Sequence, residues 1–380
     1  MKQNWTYKKL GEAVAITMGQ SPKSDTYNDS VGLPFFQGNA DFGKEHPNVR
    51  LFCNAPIRIA DVGDILISVR APIGAINVAD RKCCIGRGLA SLRGNVTCQN
   101  RFVLYFLKAT KGKLISQGTG STFKSIGKDA LYNLLIPLPP LETQSRIVSE
   151  LDLLQSIIDK QQTQLKELDT LAQAVFYDMF GDPVENERGW KMKTIKEIAL
   201  VKIGPFGSLL HTSDYIKGGV PLVNPIHMKN SRIVPDESFT ISKEKRKEMQ
   251  PYLLKKGDVV FARRGEIGRC VIVSEREDGY LCGTGSLFVR FKETISELFV
   301  LYWTKSDSFV KDLISKAKGA TMLNINCNIV ENLQLPIPPL PLQQAFVEKI
   351  ETIEHQKAII KQSLVETQKL FDYTMDKYFG

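Results

Sequence analysis

The stretch NLLIPLPPLETQ, residues 133–144, occurs a second time as NLQLPIPPLPLQ at residues 332–343. Each copy leads into a long polar–apolar segment, and the two segments end in Phe-Gly at residues 180–181 and 379–380. The copies align without a gap at a constant offset of 199 residues (332 minus 133). A repeat of this length constrains the architecture before any single element is assigned.

Both segments have the apolar spacing of a coiled coil. The prolines keep each lead extended, so that a helix starts only after it. Apolar residues then recur at alternating steps of three and four, which predicts a heptad seam over about 35–40 residues, a rod on the order of 50–60 Å long. Gln161 and Lys357 interrupt the two seams at different positions along the helices, which suggests that the helices pair within the chain. The residues assigned to the seam are Leu151, Leu154, Ile158 and Leu165 in the first helix, and Ile350, Ile353, Ile360 and Leu364 in the second.

Each helix follows a globular segment, and these segments are related too. WTYKKLGEAVAITMG (residues 5–19) matches WKMKTIKEIALVKIG (residues 190–204) at its Trp, Glu, Gly and apolar positions. We therefore predict an α+β protein with two pseudo-symmetric domains joined by two long helices. The predicted boundaries are 1–140 and 182–335 for the domains, and 141–181 and 336–380 for the helical regions.

Polar loops at matching places in the two domains supply the candidate binding residues. GDILISVRAPIG (residues 63–74) and GDVVFARRGEIG (residues 257–268) each predict a hairpin with an arginine at its end. The loops mix Arg, Lys, Asn, Ser and Thr with glycine, and these side chains pair with phosphates and base edges. The domains share glycines and strand positions but differ in loop side chains, a pattern typical of one fold that reads two targets. The candidate DNA-binding residues are Asn39, Arg70, Arg87, Thr122 and Lys124 in the first domain, and Asn224, His227, Lys229, Arg264, Thr321 and Asn324 in the second.

Composition limits the class of protein. The net charge of +9 over 380 residues favours a polyanionic partner, and the apolar fraction of 43% is that of a globular protein. The N-terminus lacks the apolar segment of a signal peptide, and no apolar run is long enough to span a bilayer, so we expect a cytoplasmic protein without membrane association. Seven cysteines without a CxxC pair predict reduced structural thiols, with no metal site and no disulfide.

Three short motifs resemble parts of catalytic sites without completing them. Residues 120–129 are spaced too widely for a phosphate loop, and Asp129 stands where a metal-binding hydroxyl is required. Residues 224–227 (NPIH) match part of an amino-methyltransferase tetrapeptide but lack its second proline and its aromatic residue. Residues 235–246 approach a nuclease carboxylate set, with Arg246 where a lysine is expected. The sequence therefore predicts no catalytic residue and no cofactor in this chain.

The chain has the order domain–helix–domain–helix, the leads PLPPLETQ and PIPPLPLQQ, paired GD…R…G hairpins, and the ends MFG and YFG. In these features it resembles the DNA specificity subunit of type I restriction-modification systems. Leu342 departs from the first copy, where Thr143 precedes Gln144, and the family most often has glutamate there. The resemblance implies two target recognition domains, each reading one half of a split, asymmetric double-stranded DNA sequence. It also implies that the two helices form an antiparallel coiled coil that acts as a spacer.

The resemblance further implies partner proteins. Two modification (methyltransferase) subunits would dock on the helices, bind S-adenosylmethionine and methylate adenine, while restriction (motor-nuclease) subunits would use ATP and Mg²⁺. The specificity subunit itself would catalyse nothing. Two alternatives stay open: a specificity chain with an unrecognised methyltransferase or nuclease activity, which the missing cofactor motifs oppose, and a protein-interaction scaffold, which would show no sequence-dependent DNA retention.

Overall fold

The computed structural model describes residues 5–118, 125–229, 231–292, 294–317, 319 and 323–380. The chain divides into two compact units, one of Met1–Thr163 with Lys361–Gly380 and one of Gln164–Ile360. Each unit thus contains one globular part, the beginning of one long helix and the end of the other. We call the globular parts the first head (residues 5–138) and the second head (residues 191–337).

The first half of the chain consists of short elements followed by one long helix. Its strands are β1 (Thr6–Lys9), β2 (Val14–Met18), β3 (Tyr27–Asn28), β4 (Leu33–Phe36), β5 (Phe52–Cys53), β6 (Ile59–Ala60), β7 (Ile65–Ser68), β8 (Ile76–Val78), β9 (Cys83–Ile85), β10 (Leu89–Gly94) and β11 (Leu135–Leu138). Its helices are α1 (Leu10–Ala13), α2 (Asn100–Ala109), α3 (Lys111–Ser116), α4 (Lys128–Tyr132) and α5 (Leu141–Phe180).

The second half repeats this order. Its strands are β12 (Lys191–Thr194), β13 (Ala199–Ile203), β14 (Tyr215–Ile216), β15 (Val220–Val223), β16 (Met228–Lys229), β17 (Arg232–Ile233), β18 (Thr240–Ile241), β19 (Val259–Ala262), β20 (Cys270–Ile272), β21 (Leu281–Cys282), β22 (Ser286–Phe291) and β23 (Gln334–Ile337). Its helices are α6 (Ile195–Ile198), α7 (Lys243–Glu248), α8 (Glu297–Thr304), α9 (Asp307–Lys316), α10 (Cys327–Glu331) and α11 (Leu340–Phe379). The region that we assigned to the second helix from residue 336 thus begins with the end of strand β23.

Each head is built on sheets of corresponding strand order. The antiparallel sheet β2-β10-β7-β8 of the first head corresponds to β13-β22-β19-β20 of the second. A mixed sheet, β3-β5-β4-β9-β6, corresponds to β14-β18-β15-β21, and in both sheets one matching pair (β4 with β9, β15 with β21) is parallel. The Pro-rich leads form strands β11 and β23, which lie in two-stranded sheets with β1 and β12 in the described part of the chain, so that the prolines remove no central ladder bond. These sheets confirm the α+β class and the two predicted hairpins, β7–β8 and β19–β20.

An ion pair between a buried aspartate and a partly exposed arginine holds the repeated Gly-Asp turn in both heads. The Asp64 carboxylate accepts a hydrogen bond from Arg93 Nε at 2.5 Å, and Asp258 accepts one from Arg290 Nε at 2.8 Å. The other oxygen of each carboxylate accepts the backbone N–H three residues earlier in the turn, at 2.9 and 2.7 Å. The repeated aspartate is therefore explained by the structure of the turn, since a buried carboxylate requires such partners.

The repeated Phe-Gly ends dock the long helices into the cores. In the second unit Phe180, the last residue of α5, packs against Phe299 and Phe346, with ring centroids 4.8 and 5.2 Å apart. In the first unit Phe379, the last residue of α11, packs against Phe102 at 5.1 Å. Burial of a phenylalanine ring contributes about 2–3 kcal/mol, and aromatic pairing adds to it. This packing accounts for the repeated ends.

Polar contacts in the first unit show that the long helices are antiparallel. Gln161 Nε2 on α5 donates to Ser363 Oγ on α11 at 2.8 Å. Nearer the N-terminus of α5, the Glu150 carboxylate accepts the Tyr378 hydroxyl at 2.8 Å. Because the contact moves toward the C-terminus of α11 as α5 is followed toward its N-terminus, the helices run in opposite directions.

The seam of the coiled coil has the predicted composition. In the second unit the polar interruption at Lys357 is satisfied by Asp169 of α5, with Nζ and carboxylate oxygen 2.7 Å apart. The assigned seam residues are buried (Leu151, Leu154, Ile158, Ile350 and Ile353) or half-buried (Leu165, Ile360 and Leu364). Both polar interruptions therefore have a partner on the other helix.

The described residues were compared with what a membrane-spanning helix and a metal site require. None of their helices is long and apolar enough to cross a bilayer, and they contain no group of three His, Cys, Asp or Glu side chains that could hold a metal ion. The seven cysteines are free thiols. Burial raises the pKa of the Cys84 thiol to about 11 and that of Cys83 to about 12, so these thiols stay protonated and unreactive.

Candidate nucleic-acid interface

In each head, loops from both sheets are joined by backbone hydrogen bonds around the end of one hairpin. We call the first set, residues 19–21, 37–39, 70–74, 86–88 and 125–126, the first loop cluster. The second set, residues 204–206, 224–227, 263–268, 283–285 and 323–325, is the second loop cluster.

The hairpin residue before the predicted arginine joins three loops of each cluster. Val69 donates its N–H to the Gly88 carbonyl at 2.9 Å and accepts the N–H of Ile126 at 2.9 Å. Arg263 occupies the same place in the second head, where it donates to the Gly285 carbonyl at 3.0 Å and accepts from Ile325 at 3.1 Å. The hairpin end thus lies between the loop that precedes β10 or β22 and the loop that precedes α4 or α10.

Close backbone contacts bring the remaining loops into each cluster. A Cβ atom added at Gly19 would lie 2.1 Å from the Gly86 carbonyl oxygen, and one at Gly204 would lie 2.1 Å from the Gly283 oxygen. Glycine is therefore required at both positions. The N–H of Gly86 donates to the carbonyl of the last residue of β4 at 2.8 Å, and Gly283 donates likewise to the last residue of β15 at 3.0 Å.

The two predicted arginines occupy equivalent places in these clusters. Arg70 forms an isolated antiparallel bridge with Ser125, and Arg264 forms one with Asn324. Both arginine side chains are exposed, while Asn324 is half-buried. Each arginine is therefore held by its backbone, with its guanidinium available to a ligand.

The other described candidates of the first head lie on the same loops. Asn39 is half-buried in the turn after β4, and the side chain of Arg87 is exposed in the loop before β10. The N–H of Arg87 donates to Ser21 Oγ at 3.2 Å, which joins it to the loop after β2. Thr122 and Lys124 lie outside the described residues.

In the second head, two candidates are engaged inside the protein. The Asn224 side-chain oxygen accepts the N–H of Gly285 at 3.1 Å. The ring of His227 is only 2% exposed, and its Nδ1 accepts the Asn224 N–H at 3.1 Å. Burial lowers the pKa of His227, so that the ring stays neutral and supports the loop. This burial does not fit the direct DNA contact that we predicted for His227 and assigns it a supporting position instead.

Of the remaining candidates of the second head, the structure describes Lys229. The side chain of Lys229 is exposed and lines an open cleft of about 660 Å³ together with Arg269 and Lys305. Arg269 Nη1 also donates to the Pro225 carbonyl at 3.0 Å. Thr321 lies outside the described residues. Cations around loops that carry free polar groups can bind phosphates and base edges.

The prediction from the sequence missed Arg263, whose side chain connects two loops of the second loop cluster. Its Nε donates to the Ile325 carbonyl at 3.2 Å and its Nη1 to the Thr284 carbonyl at 3.1 Å. The hydroxyl of Thr284 in turn donates to the Pro205 carbonyl at 2.7 Å. Burial lowers the pKa of Arg263, and the neighbouring charge of Arg264 lowers it further. The signal was available, because the repeat has an apolar valine at the matching position.

Comparison with known proteins identifies the family. A family model described as "Type I restriction modification DNA specificity domain" matches residues 2–170 and again residues 187–368. The chain belongs to this family. Its two matches coincide with the internal repeat, so each copy of the repeat carries one specificity domain.

Individual specificity subunits resemble the chain in part or throughout. It is 22% identical to the type I restriction enzyme MjaIX specificity subunit of Methanocaldococcus jannaschii, over 99% of this chain and 92% of that protein. It is 45% identical to the putative MjaX specificity subunit of the same organism over 161 residues, which are 41% of this chain and 38% of that protein. The crystal structure of a type I restriction-modification S subunit from M. genitalium has the same fold, with a TM-score of 0.58 at 15% identity over 99% of this chain and 96% of that one.

Proposed function

We propose that this specificity subunit is the non-catalytic, DNA-reading component of a type I restriction-modification complex. In this proposal each head reads one half of a split, asymmetric sequence in double-stranded DNA. The observation that carries the proposal is the pair of exposed arginines, Arg70 and Arg264, held at equivalent bridges in otherwise different loop clusters. An arginine at such a place can bind guanine in a bidentate manner, and the differing loops around it provide two specificities.

The proposal includes partners that this chain does not supply. Two modification subunits would dock on the coiled coil and bind S-adenosylmethionine for adenine methylation. Restriction subunits would add ATP- and Mg²⁺-dependent translocation and cleavage, in the cytoplasm. Family membership supports these assignments, because the matched family is defined by DNA specificity within type I systems.

The first experiment is a genome-wide map of methylated adenine in cells with the gene intact and deleted. A split motif that disappears on deletion would support the proposal and reveal both half-sites at once. If no motif changes, the partner subunits should be co-purified with this chain and tested on a random DNA library. A stable complex that binds no DNA sequence of the library in preference to the others would contradict DNA reading and favour a protein-interaction scaffold.

The roles of the two arginines can then be separated. Replacing Arg70 by glutamine should relax base preference in one half-site only, and Arg264→Gln should relax it in the other. Arg81→Gln is a matched control, because Arg81 is exposed in the first head but is paired with Asp80 outside the loop cluster. An equal loss at both half-sites would indicate phosphate binding without base reading.

A further inference from the structure

The loop sequences of the two heads differ systematically at three matched positions, of which Lys124 lies outside the described residues. The positions match because Gly19 aligns with Gly204, the end of β4 aligns with the end of β15, and the segment before α4 aligns with that before α10. At each of them the first head has a polar side chain and the second head has a large apolar one. The matched pairs, with the first head named first, are Ser21 and Phe206, Asn39 and Ile226, and Lys124 and Leu323.

The three apolar side chains lie at the surface of the second head. Phe206 is 62% exposed, Ile226 is 63% exposed and Leu323 is 39% exposed. Single exposed apolar residues are common, but these three lie on separate loops of one cluster. Because these side chains are exposed, their large apolar area is not buried in the core and does not stabilise the fold.

Hydrogen bonds beside each residue hold it in this exposed position. The carbonyl of Pro205, next to Phe206, accepts the Thr284 hydroxyl at 2.7 Å. The carbonyl of Pro225, next to Ile226, accepts Arg269 Nη1 at 3.0 Å. The loop that carries Leu323 is tied to the hairpin through Asn324. Because hydrogen bonds to the backbone of the neighbouring residues tie these loops to the rest of the cluster, Phe206, Ile226 and Leu323 are held at exposed positions of the second loop cluster.

Charge around this surface indicates the occupant. Ile226 lines the open cleft that also holds Lys229, Lys305 and Arg269, and in that lining Arg269 is ion-paired with Glu266. The exposed Arg264 lies in the same cluster. Cations beside exposed apolar side chains fit the major groove of DNA, in which phosphates flank the base edges. The apolar group that the groove presents is the C5-methyl group of thymine.

We propose that the second head reads thymine through its C5-methyl group, using Phe206, Ile226 and Leu323, whereas the first head reads its half-site by hydrogen bonds. The inference rests on the proposed function, because it assigns a reading chemistry to one of the two heads. It predicts at least one thymine, on either strand, in the half-site that depends on Arg264. Each thymine read in this way contributes about a fourfold gain in affinity, as one buried methyl group does.

The test replaces thymine by deoxyuridine, which removes the methyl group and leaves every hydrogen bond in place. The complex with its modification subunits is titrated with duplexes of the mapped sequence that carry deoxyuridine in one half-site or the other. Affinity should fall about fourfold for each contacted base in the half-site of the second head. It should not change for the half-site of the first head.

Variants link the effect to the named residues. Phe206→Ser and Ile226→Asn introduce the side chains of the first head, and should abolish the difference between thymine and deoxyuridine duplexes. Ile216→Asn is the control, because Ile216 is exposed on β14 outside the loop cluster and should leave the difference unchanged. Phe206→Leu should retain most of the difference between thymine and deoxyuridine duplexes, since leucine keeps an apolar contact.

Three outcomes would overturn the inference while leaving the proposed function intact. They are a second half-site without thymine, equal deoxyuridine effects in both half-sites, and variants that weaken thymine and deoxyuridine duplexes alike. The last outcome would instead indicate insertion of Phe206 between base pairs. A complex with no sequence preference at all would contradict the proposed function as well, and so is distinguishable from these three.

Discussion

The side chain of Gln144 accepts the backbone N–H of Gln99 at 3.0 Å and donates to the carbonyls of Thr97 and Pro139 at 2.8 and 2.9 Å. Gln99 immediately precedes α2, and Gln144 lies in the first turn of α5. One buried amide therefore connects the first head, the Pro-rich lead and the long helix. Gln343 makes the matching bonds in the second unit, to the N–H of Ser296 and the Pro338 carbonyl. The repeated glutamine thus has a structural cause.

Replacing Gln144 by leucine should destabilise the first unit. The substitution leaves the Gln99 N–H and two carbonyls without a buried partner, which lowers the free energy of unfolding by about 2–4 kcal/mol. Thermal and denaturant unfolding of the purified chain would measure this. Gln162→Leu is the control, because Gln162 lies on the same helix but its side chain is exposed. Equal midpoints for the two variants would contradict the structural role of Gln144.

The ion pair between Lys357 and Asp169 should contribute to the pairing of the long helices. Lys357 is 8% exposed, and although burial lowers its pKa, hydrogen bonds with Asp169 and Glu354 raise the pKa above its ordinary value. Asp169→Lys places two cations together and should cost about 1 kcal/mol, because the carboxylate of Asp169 is largely solvated. The loss in melting temperature should shrink as salt is added. Glu167→Lys, on an exposed position of α5, should show neither effect.

The sequence was sufficient for the repeat, the seam and the hairpins, because these follow from local periodicity and turn residues. It was insufficient for the position of side chains within the loops. Arg263 and Arg264 are adjacent and of the same type, and apart from the valine that matches Arg263 in the repeat, only the folded structure separates them: the Arg263 guanidinium donates to carbonyls of two loops, whereas the Arg264 side chain is exposed. His227 was misplaced because its ring is buried in the folded protein, where it packs against Phe239 with ring centroids 5.4 Å apart. Such tertiary contacts have no local signature.

His227 should make the stability of the second unit depend on pH. Its pKa is lowered in the folded protein by burial, so that below the ordinary value of 6.5 the unfolded chain binds a proton that the folded chain does not. Stability is therefore unaffected above this range and falls as the pH drops from about 7 to 5. His227→Gln should flatten that dependence in thermal unfolding, whereas His355→Gln, at an exposed position, should retain it. An unchanged slope in the His227 variant would show that another group is responsible.

Arg263 should control base discrimination at the second half-site without contacting DNA. Its guanidinium joins the loops of Thr284 and Ile325, so Arg263→Met should release them and reduce base discrimination at the second half-site about tenfold, the equivalent of one charged hydrogen bond. Discrimination at the first half-site should not change, because Val69 takes this position in the first head. Arg263→Lys, which keeps the charge but cannot direct two bonds, should give an intermediate loss. Arg276→Met, at an exposed position of the second head, is the control. Affinities for duplexes altered in one half-site at a time separate this effect from a general loss of stability, which would weaken both half-sites equally and would contradict the positioning role.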